Sequence, residues 1–304
     1  MNPAIIIKDL YKNYGPIEAL RNINLEIRDK EIFGLIGPDG AGKTSLFRIL
    51  TTLLLPDQGK ATVLDLDVVR DFKKIRKIIG YMPGRFSLYQ DLSVEENLSL
   101  FAAIFGTSIE ENYDLVKGIY SQIEPFKKRK AGNLSGGMKQ KLALSCALIH
   151  RPEILFLDEP TTGVDPVSRK EFWDMLRNLK DHGITILVST PYMDEANLCD
   201  RIGLIQNGMI LSINTPEKLR SEYPNRLFAI QSEDKFDILQ RLKNAGNTHS
   251  VFSFGDEIHY VDDRLDITAD QLEKILRELN LPEFKLEQIE PTVEDCFMEL
   301  LKQN

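Results

Sequence analysis

The stretch from Gly37 to Thr44 constrains this chain more than any other part of its sequence. It follows an apolar run, Ile32 to Ile36, that predicts a buried strand, and it precedes residues that open a helix. Its letters, GPDGAGKT, fit the pattern G-x-x-x-x-G-K-[ST], in which glycines let backbone N–H groups turn around phosphate oxygens. The positive end of the helix dipole adds to this attraction for anions. The sequence therefore predicts a phosphate-binding loop, the alternative being a glycine-rich turn that meets the pattern by accident.

Two further stretches predict related chemistry. The letters LSGG at 134–137 precede a helix pattern, and the N-terminus of such a helix could receive another phosphate. An apolar strand pattern at 154–157 runs into Asp158 and Glu159. Two adjacent carboxylates at the end of a buried strand are costly unless a cation or proton chemistry uses them.

Strand and helix patterns alternate through most of the chain. This alternation predicts a parallel sheet with its ligand at the carboxyl ends of the strands. The first helix is expected to end near Leu54, Tyr11 to Pro16 reads as a turn, and Asn207-Gly208 predicts a hairpin. Ser93 and Glu96 predict a capping box at the start of a helix over 93–106. Further strands are predicted at 4–10, 60–64, 78–82, 184–188, 202–205 and 209–213.

Composition limits the classes of protein to consider. The 304 residues carry a net charge of −8, which argues against a general nucleic-acid-binding surface. Three widely spaced cysteines, Cys146, Cys199 and Cys296, predict buried thiols in a reducing, cytoplasmic setting. No signal-peptide pattern and no apolar run of about 18 residues occurs, so we expect a chain that does not cross a membrane by itself.

The residues from about Asn225 onward predict a separate α+β unit. Their patterns give strand 226–231, helix 234–244, strands 250–254 and 257–261, helix 268–279, strand 284–289 and helix 292–302. This order is similar to a split βαβ, ferredoxin-like module with an added helix. His249 and His259 are isolated in the sequence and predict no metal site.

The phosphate loop, LSGG and Asp158-Glu159, in this order and spacing, resemble the ATP-binding-cassette (ABC) ATPases over residues 3–220. The resemblance implies an α/β fold, a P-loop NTPase cassette with a RecA-like core, an antiparallel β subdomain and an inserted α-helical subdomain at about 84–133. We expect the cassette to occupy residues 1–222 and the small α+β domain to occupy 225–304.

The resemblance also implies roles at matching positions. ATP would be bound by Tyr14, Gly37, Pro38, Asp39, Gly40, Ala41, Gly42, Lys43, Thr44 and Ser45. Tyr14 would stack on adenine, the alternative being a plain turn aromatic. Glu159 would act as the catalytic base, with Lys43 on the phosphates, and Thr44 and Asp158 would hold Mg²⁺.

A second cassette is implied in the same way. Leu134, Ser135, Gly136 and Gly137 would contact the ATP held by the opposing subunit, and Asp165 would lie in the loop that crosses the interface. ATP would therefore be enclosed between two cassettes, in a homodimer or a heterodimer. Closing and reopening of that dimer would pass through the helical subdomain to a membrane partner.

Two positions depart from the family pattern. A glutamine is expected where Gly84 stands, and a histidine is expected where Pro191 stands. Gln90 comes several residues too late to replace that glutamine. We therefore expect normal ATP binding but slow hydrolysis at this chain's own site.

The stretches 161–166 and 291–297 are similar to those of multidrug or antibiotic exporters with ABC-2-type membrane subunits. The resemblance implies a transport ATPase at the cytoplasmic face of the cell membrane, with no nucleic acid as partner. One alternative is a regulatory ATP-binding cassette with little hydrolysis. Another is a soluble ABC ATPase acting on ribosomes or DNA, against which the acidic balance and the single cassette argue.

Overall fold

The computed structural model describes residues 3–85, 87–278, 281 and 283–303 of the chain. It divides into two compact units, Met1–Pro216 and Glu217–Asn304. The predicted boundary at 222–225 falls after this division, because a short helix at Pro216–Ser221 belongs mainly to the second unit. The Cys296 Sγ in that unit donates to the Leu219 carbonyl at 3.4 Å. Among the described residues no helix has both the length and the apolar character needed to span a bilayer.

The first unit contains ten strands and six longer helices among its described residues. The strands are β1 (Pro3–Tyr14), β2 (Ile17–Arg28), β3 (Ile32–Ile36), β4 (Gln58–Val63), β5 (Leu66–Asp67), β6 (Ile79–Met82), β7 (Ile154–Asp158), β8 (Thr185–Thr190), β9 (Arg201–Gln206) and β10 (Met209–Asn214). The helices are α1 (Lys43–Leu50), α2 (Phe72–Ile78), α3 (Val94–Ile104), α4 (Tyr113–Tyr120), α5 (Gly136–Leu148) and α6 (Pro166–Asp181). Short 3-10 helices lie at Glu124–Phe126, Ala131–Asn133 and Met193–Leu198.

The larger sheet has the order β10-β9-β3-β8-β7-β6, and all its neighbouring pairs are parallel except β10-β9. Strands β3, β7 and β8 are buried at every position, as their continuous apolar runs predict. Their registers pair Ile36 with Thr190 and Asp158 with Ser189, so three strands end at one edge. The predicted α/β fold with a parallel sheet is thereby confirmed.

A second, antiparallel sheet has the order β2-β1-β4-β5. The prediction of a turn at Tyr11–Pro16 was wrong for its first four residues, since β1 continues to Tyr14 and pairs with Ile17. The turn is confined to Gly15, whose φ is 58°, and Pro16. A hairpin this tight keeps alternate side chains on fixed faces, which sets the direction of the Tyr14 ring.

The segment between β6 and β7 is helical, as predicted for 84–133. The capping box is confirmed, because the Glu96 N–H donates to Ser93 Oγ at 3.2 Å and the Ser93 N–H donates to Glu96 Oε2 at 2.7 Å. Within this segment helix α4 occupies only Tyr113–Tyr120. Asn112 stops its extension toward the N-terminus, because its amide donates to the Ile149 carbonyl at 2.7 Å.

Helix α1 ends at Leu50 rather than at the predicted Leu54. Thr52 takes a left-handed conformation with φ of 63°, and Arg76 donates to its carbonyl oxygen at 2.7 Å and to its hydroxyl at 2.8 Å. The side chain of a later helix thus binds the backbone that would otherwise continue α1.

The second unit contains β11 (Leu227–Gln231), α8 (Lys235–Lys243), β12 (Thr248–Phe254), β13 (Glu257–Asp262), α9 (Ala269–Glu278), β14 (Lys285–Ile289) and α10 (Val293–Gln303), after α7 (Pro216–Ser221). The predicted order of strands and helices is confirmed, although residue 279, the predicted end of α9, lies outside the described residues. Its sheet has the order β12-β13-β11-β14, and every neighbouring pair is antiparallel. This is the arrangement that the split βαβ interpretation expects.

Candidate functional site

Lys43 is the first residue of α1 and follows directly on the loop that leaves β3. Its ammonium group is buried and donates to the carbonyl oxygens of Gly37 at 2.7 Å and Pro38 at 3.0 Å. It also lies 3.2 Å from Glu159 Oε1. A buried cation requires such oxygen partners. The Lys43 ammonium lies near the N-terminus of α1, where the helix dipole favours anions.

Two glycines allow the loop to adopt this shape. Gly42 has a φ of 107°, and a Cβ there would come within 2.5 Å of the Ala19 carbonyl oxygen. A Cβ on Gly37 would come within 2.1 Å of the Ile205 carbonyl oxygen. Any larger residue at either position would therefore displace the loop from β2 or β9.

Thr44 and Asp158 meet at the carboxyl end of the sheet. The Thr44 hydroxyl donates to Asp158 Oδ1 at 3.2 Å, although the two residues are far apart in the sequence. A hydroxyl beside a carboxylate is a donor set that suits Mg²⁺ when phosphate oxygens and waters complete its coordination. The residues present thus fit the predicted metal role.

Glu159 follows Asp158 in a left-handed conformation, with a φ of 53°. Its N–H lies 3.0 Å from both the carbonyl oxygen and the hydroxyl of Ser189. Its side chain is 24% exposed and lines the cavity next to Lys43. A non-glycine residue in this backbone region is uncommon, and such residues concentrate at functional sites.

These groups open into a cavity of about 580 Å³. Tyr14 forms part of its wall, is 42% exposed, and places its hydroxyl 3.4 Å from Ser45 Oγ. The Lys12 ammonium lies 5.9 Å from the centre of the Tyr14 ring. The structure thus brings the predicted adenine-stacking residue to the same cavity as the phosphate loop.

Sequence reasoning missed part of this wall, formed by Pro16, Ile17, Glu18, Ala19, Arg21, Asn207 and Met209. Asn207 was recognised only as a turn residue. The hairpin reaches the cavity because the Gly208 N–H donates to the Ala41 carbonyl at 3.0 Å and the Arg21 N–H donates to the Gly208 carbonyl at 2.7 Å. No short sequence pattern predicts these contacts, because they join distant parts of the chain.

The LSGG residues form a second loop-to-helix unit, away from this wall. Ser135 is exposed and caps α5, accepting from the Met138 N–H at 3.3 Å. Asp165 caps α6 in the same way, and its hydrogen bond from the Ser168 N–H holds the pKa of its carboxyl below the usual value. A Cβ on Gly137 would come within 2.6 Å of Ser168 Oγ, so the two capped helices approach closely. Among the described residues, none from 134–137 lines the cavity, and neither does Asp165.

Gly84 lies beside the carboxylate pair, where the family pattern expects a glutamine. A Cβ at this position would be 3.0 Å from the Asp158 carbonyl oxygen and 3.8 Å from Glu159 Cβ. Gln90 lies elsewhere, with its carbonyl oxygen accepting from the Gly132 N–H at 2.9 Å. The position next to the carboxylates therefore has no side-chain amide from either residue.

Pro191 follows the last residue of β8 and offers no side-chain donor. The segment around it is anchored by the buried Glu195, whose carboxylate accepts from Thr190 Oγ1 at 2.5 Å and Thr161 Oγ1 at 2.7 Å. Arg169 stacks 4.5 Å above the Tyr192 ring. These contacts tie the segment around Pro191 to Thr161, two residues beyond Glu159.

The sequence around this cavity is similar to known proteins. Residues 20–162 match the family described as ABC transporter. The chain is 40% identical over 224 residues to the "Probable multidrug ABC transporter ATP-binding protein YbhF" of Escherichia coli, which is 73% of this chain but only 39% of that protein's length. It is 36% identical over 240 residues to the "Doxorubicin resistance ATP-binding protein DrrA" of Mycobacterium tuberculosis, covering 77% of this chain and 72% of DrrA.

Solved structures share the fold. The "Dimeric structure of a post-hydrolysis state of the ATP-binding cassette MJ0796 bound to ADP and Pi" is 27% identical, with a TM-score of 0.63. The match covers 69% of this chain and 98% of that cassette.

Proposed function

The chain belongs to the family of ABC transporter ATP-binding proteins, and from that premise we propose that it binds ATP with Mg²⁺ and hydrolyses it to drive transport. The observation that carries the proposal is the meeting of Lys43, Thr44 and Glu159 in one cavity walled by Tyr14. A purine ring, a triphosphate and a water molecule each find a suitable group there: an aromatic face, a buried cation at a helix N-terminus, and a carboxylate.

Catalysis at such a site depends on position and charge more than on covalent chemistry. Lys43 stabilises negative charge on the phosphates, and Glu159 orients the attacking water and accepts its proton. Thr44 and Asp158 would hold Mg²⁺, which would supply further charge stabilisation. The left-handed backbone of Glu159 aims its carboxylate along the same wall as Lys43.

We propose that a complete site requires a second cassette, either another copy of this chain or a different one. Among the described residues, neither LSGG nor Asp165 lines the cavity. ATP bound in the cavity would therefore meet these elements only if a second cassette supplied them. Ser135 is exposed, and Gly137 packs near the helix that Asp165 caps, so both elements lie on one surface that a neighbour could meet. The related cassette MJ0796 has been solved as a dimer.

The transported substrate and the membrane subunit are proposed from relatives alone. Their names mention multidrug transport and doxorubicin resistance, which supports export of small molecules through a separate, ABC-2-type membrane subunit. The chain would then act at the cytoplasmic face of that membrane. A nucleic acid is not proposed as a partner, since the net charge of −8 would repel a phosphate backbone.

A specific observation favours a second candidate function, a regulatory cassette that binds ATP but turns it over slowly. Neither Gly84 nor Pro191 provides a side-chain donor beside the carboxylate pair. ATP binding is common to both functions, so the rate of hydrolysis separates them.

The test uses Glu159→Gln, which keeps the size of the side chain but removes the base. We expect this variant to bind ATP, to hydrolyse it about 100-fold more slowly than wild type, and to form an ATP-dependent dimer on size-exclusion chromatography. Glu153→Gln, an exposed carboxylate immediately before β7, is the matched control and should behave like wild type. Failure of wild type to bind ATP would refute both functions, whereas binding with negligible turnover in wild type would favour the regulatory one.

A further inference from the structure

Ser189 contacts Asp158 and Glu159 but belongs to none of the sequence patterns that identify the site. It is the penultimate residue of β8, is fully buried, and pairs in register with Asp158 on the neighbouring strand β7. Parallel pairing brings its hydroxyl to the edge of the sheet where the two carboxylates begin.

The Ser189 hydroxyl makes two hydrogen bonds of opposite direction. It donates to Asp158 Oδ1 at 2.6 Å, and it accepts from the Glu159 N–H at 3.0 Å. One oxygen atom therefore contacts the side chain of the metal-binding aspartate and the backbone of the catalytic glutamate. A hydroxyl is well suited to this position, because it is both donor and acceptor.

The second hydrogen bond supports a strained conformation. Left-handed backbone is unfavourable for a residue with a side chain. Glu159 adopts it with a φ of 53°, and its N–H is shared between the carbonyl oxygen and the hydroxyl of Ser189. Removing the hydroxyl leaves the carbonyl oxygen as the remaining Ser189 acceptor for that N–H.

We infer that Ser189 is a positioning residue for the proposed ATPase reaction, orienting the Asp158 carboxylate toward the metal and holding Glu159 in its left-handed conformation. The inference rests on the proposed function and deepens it. Ser189 acts through Asp158 and Glu159, the two residues that its hydroxyl contacts.

Metal affinity is the sharpest readout, since it does not require turnover. Full-length protein, in excess over a non-hydrolysable ATP analogue, is titrated with Mn²⁺, and free Mn²⁺ is followed by electron paramagnetic resonance. We expect Ser189→Ala to raise the half-saturating Mn²⁺ concentration about tenfold, the usual scale for residues that support a metal ligand. Affinity for the analogue without metal should stay within twofold of wild type, because Lys43 is unchanged.

Turnover gives a second readout. We expect kcat to fall about tenfold in Ser189→Ala while the KM for ATP at saturating Mg²⁺ changes little. Ser189→Thr keeps the hydroxyl and should recover most of the metal affinity. Ser145→Ala is the matched control, because Ser145 is equally buried and its hydroxyl donates to the Lys141 carbonyl at 2.8 Å, within a helix.

The outcomes separate the two proposals. Mn²⁺ affinity and kcat in Ser189→Ala that match those of Ser145→Ala would overturn the role of Ser189 and leave the proposed function standing. A lower melting temperature with unchanged Mn²⁺ affinity would also overturn it, since the hydroxyl would then be structural only. Wild-type protein that binds no ATP analogue would refute the proposed function and this inference together.

Discussion

The two units of this chain each contain a close pair of ionisable side chains, and the two pairs are built differently. In the first unit, Lys43 and Glu159 lie 3.2 Å apart at the wall of a cavity of about 580 Å³. In the second, His259 Nδ1 lies 2.7 Å from Asp295 Oδ1, with both side chains buried between β13 and α10. One pair faces open space, and the other is enclosed by protein.

The hydrogen bonds of Asp295 explain the second arrangement. Its other oxygen accepts from the Thr292 N–H at 2.8 Å and the Thr292 hydroxyl at 2.6 Å. Burial opposes ionisation of Asp295, but the hydrogen bonds from His259 and Thr292 outweigh it and hold the pKa of the carboxyl below 3.8. Phe254 stacks 4.2 Å from the His259 ring.

The two pairs differ in a way that distinguishes a functional cluster of ionisable side chains from a structural one. Both pairs bring an N and an O atom within 3.2 Å of each other, so proximity alone does not decide. The cluster that lines a cavity can exchange its partners for a ligand, whereas the cluster whose oxygens are all bonded within the protein holds two elements together. It follows that mutations should change ligand binding in the first unit and stability in the second.

The largest effect is expected for Lys43→Ala. Removing a buried cation from a phosphate site should weaken ATP binding about 1,000-fold, or about 4 kcal/mol. Binding of a fluorescent ATP analogue measures it, with Lys180→Ala as the control, because Lys180 pairs with Asp200 at 2.9 Å and does not line the cavity. An unchanged affinity for ATP in Lys43→Ala would show that the pair in the first unit is not a ligand-binding one.

Asp295→Asn should act on stability instead. Breaking a buried pair on one side costs about 3 kcal/mol, which hydrogen exchange in β13 and α10 would detect. The single tryptophan, Trp173, is buried in the first unit, so its fluorescence reports whether that unit is unaffected. Asp263→Asn is the control, since this carboxylate is 53% exposed and lies 3.5 Å from His249. Weaker ATP binding in Asp295→Asn would show that the distinction between the clusters is false.

The same pair predicts a dependence on pH. The pKa of Asp295 is lower in the folded protein than its ordinary value of 3.8, so its stabilisation is complete above that value. The stabilisation is lost as the pH falls from there through the lowered pKa. Protection of α10 from hydrogen exchange should therefore decline on acidification in wild type and decline less in Asp295→Asn. Equal slopes in the two proteins would contradict the assignment.

A moderate effect is expected for Tyr14→Ala. Loss of a stacking face should weaken ATP binding about tenfold, or about 1.4 kcal/mol. Tyr14→Phe keeps the ring and loses only the contact with Ser45 Oγ, so it should stay within about threefold of wild type. Tyr89→Ala, at another exposed tyrosine, serves as the control in the same nucleotide titration. If Phe and Ala weakened binding equally, the hydroxyl rather than the ring would be the important group.

The smallest effect is expected for Pro191→His. One new hydrogen bond to the phosphates should raise the steady-state rate of ATP hydrolysis about threefold to tenfold. Pro191→Ala removes the ring without adding a side-chain donor and should not raise the rate. Gly84→Gln should gain less, because its Cβ would lie 3.0 Å from the Asp158 carbonyl oxygen and the backbone must shift. Equal rates in Pro191→His and Pro191→Ala would mean that the missing donor does not limit hydrolysis.

Much of the site could be predicted from the sequence because its parts are local. The loop at 37–44 is a continuous stretch whose glycines, lysine and threonine define its geometry, and Asp158-Glu159 follows directly from its own strand. The ends of elements were harder to predict. Helix α1 ends at Leu50 because Arg76 binds the backbone of Thr52. The sequence of α1 itself does not predict that contact.

The sequence by itself determined the phosphate loop, the adjacent carboxylates and the alternation of strands and helices. It also determined the order in which strands and helices follow one another along the second unit. Only the tertiary structure brought Ser189 to Asp158, Asn207 to the loop, and Asp295 to His259. The reason is physical. Backbone geometry and hydrophobic periodicity act over a few neighbouring residues, whereas the order and register of strands in a sheet decide which distant side chains share one edge.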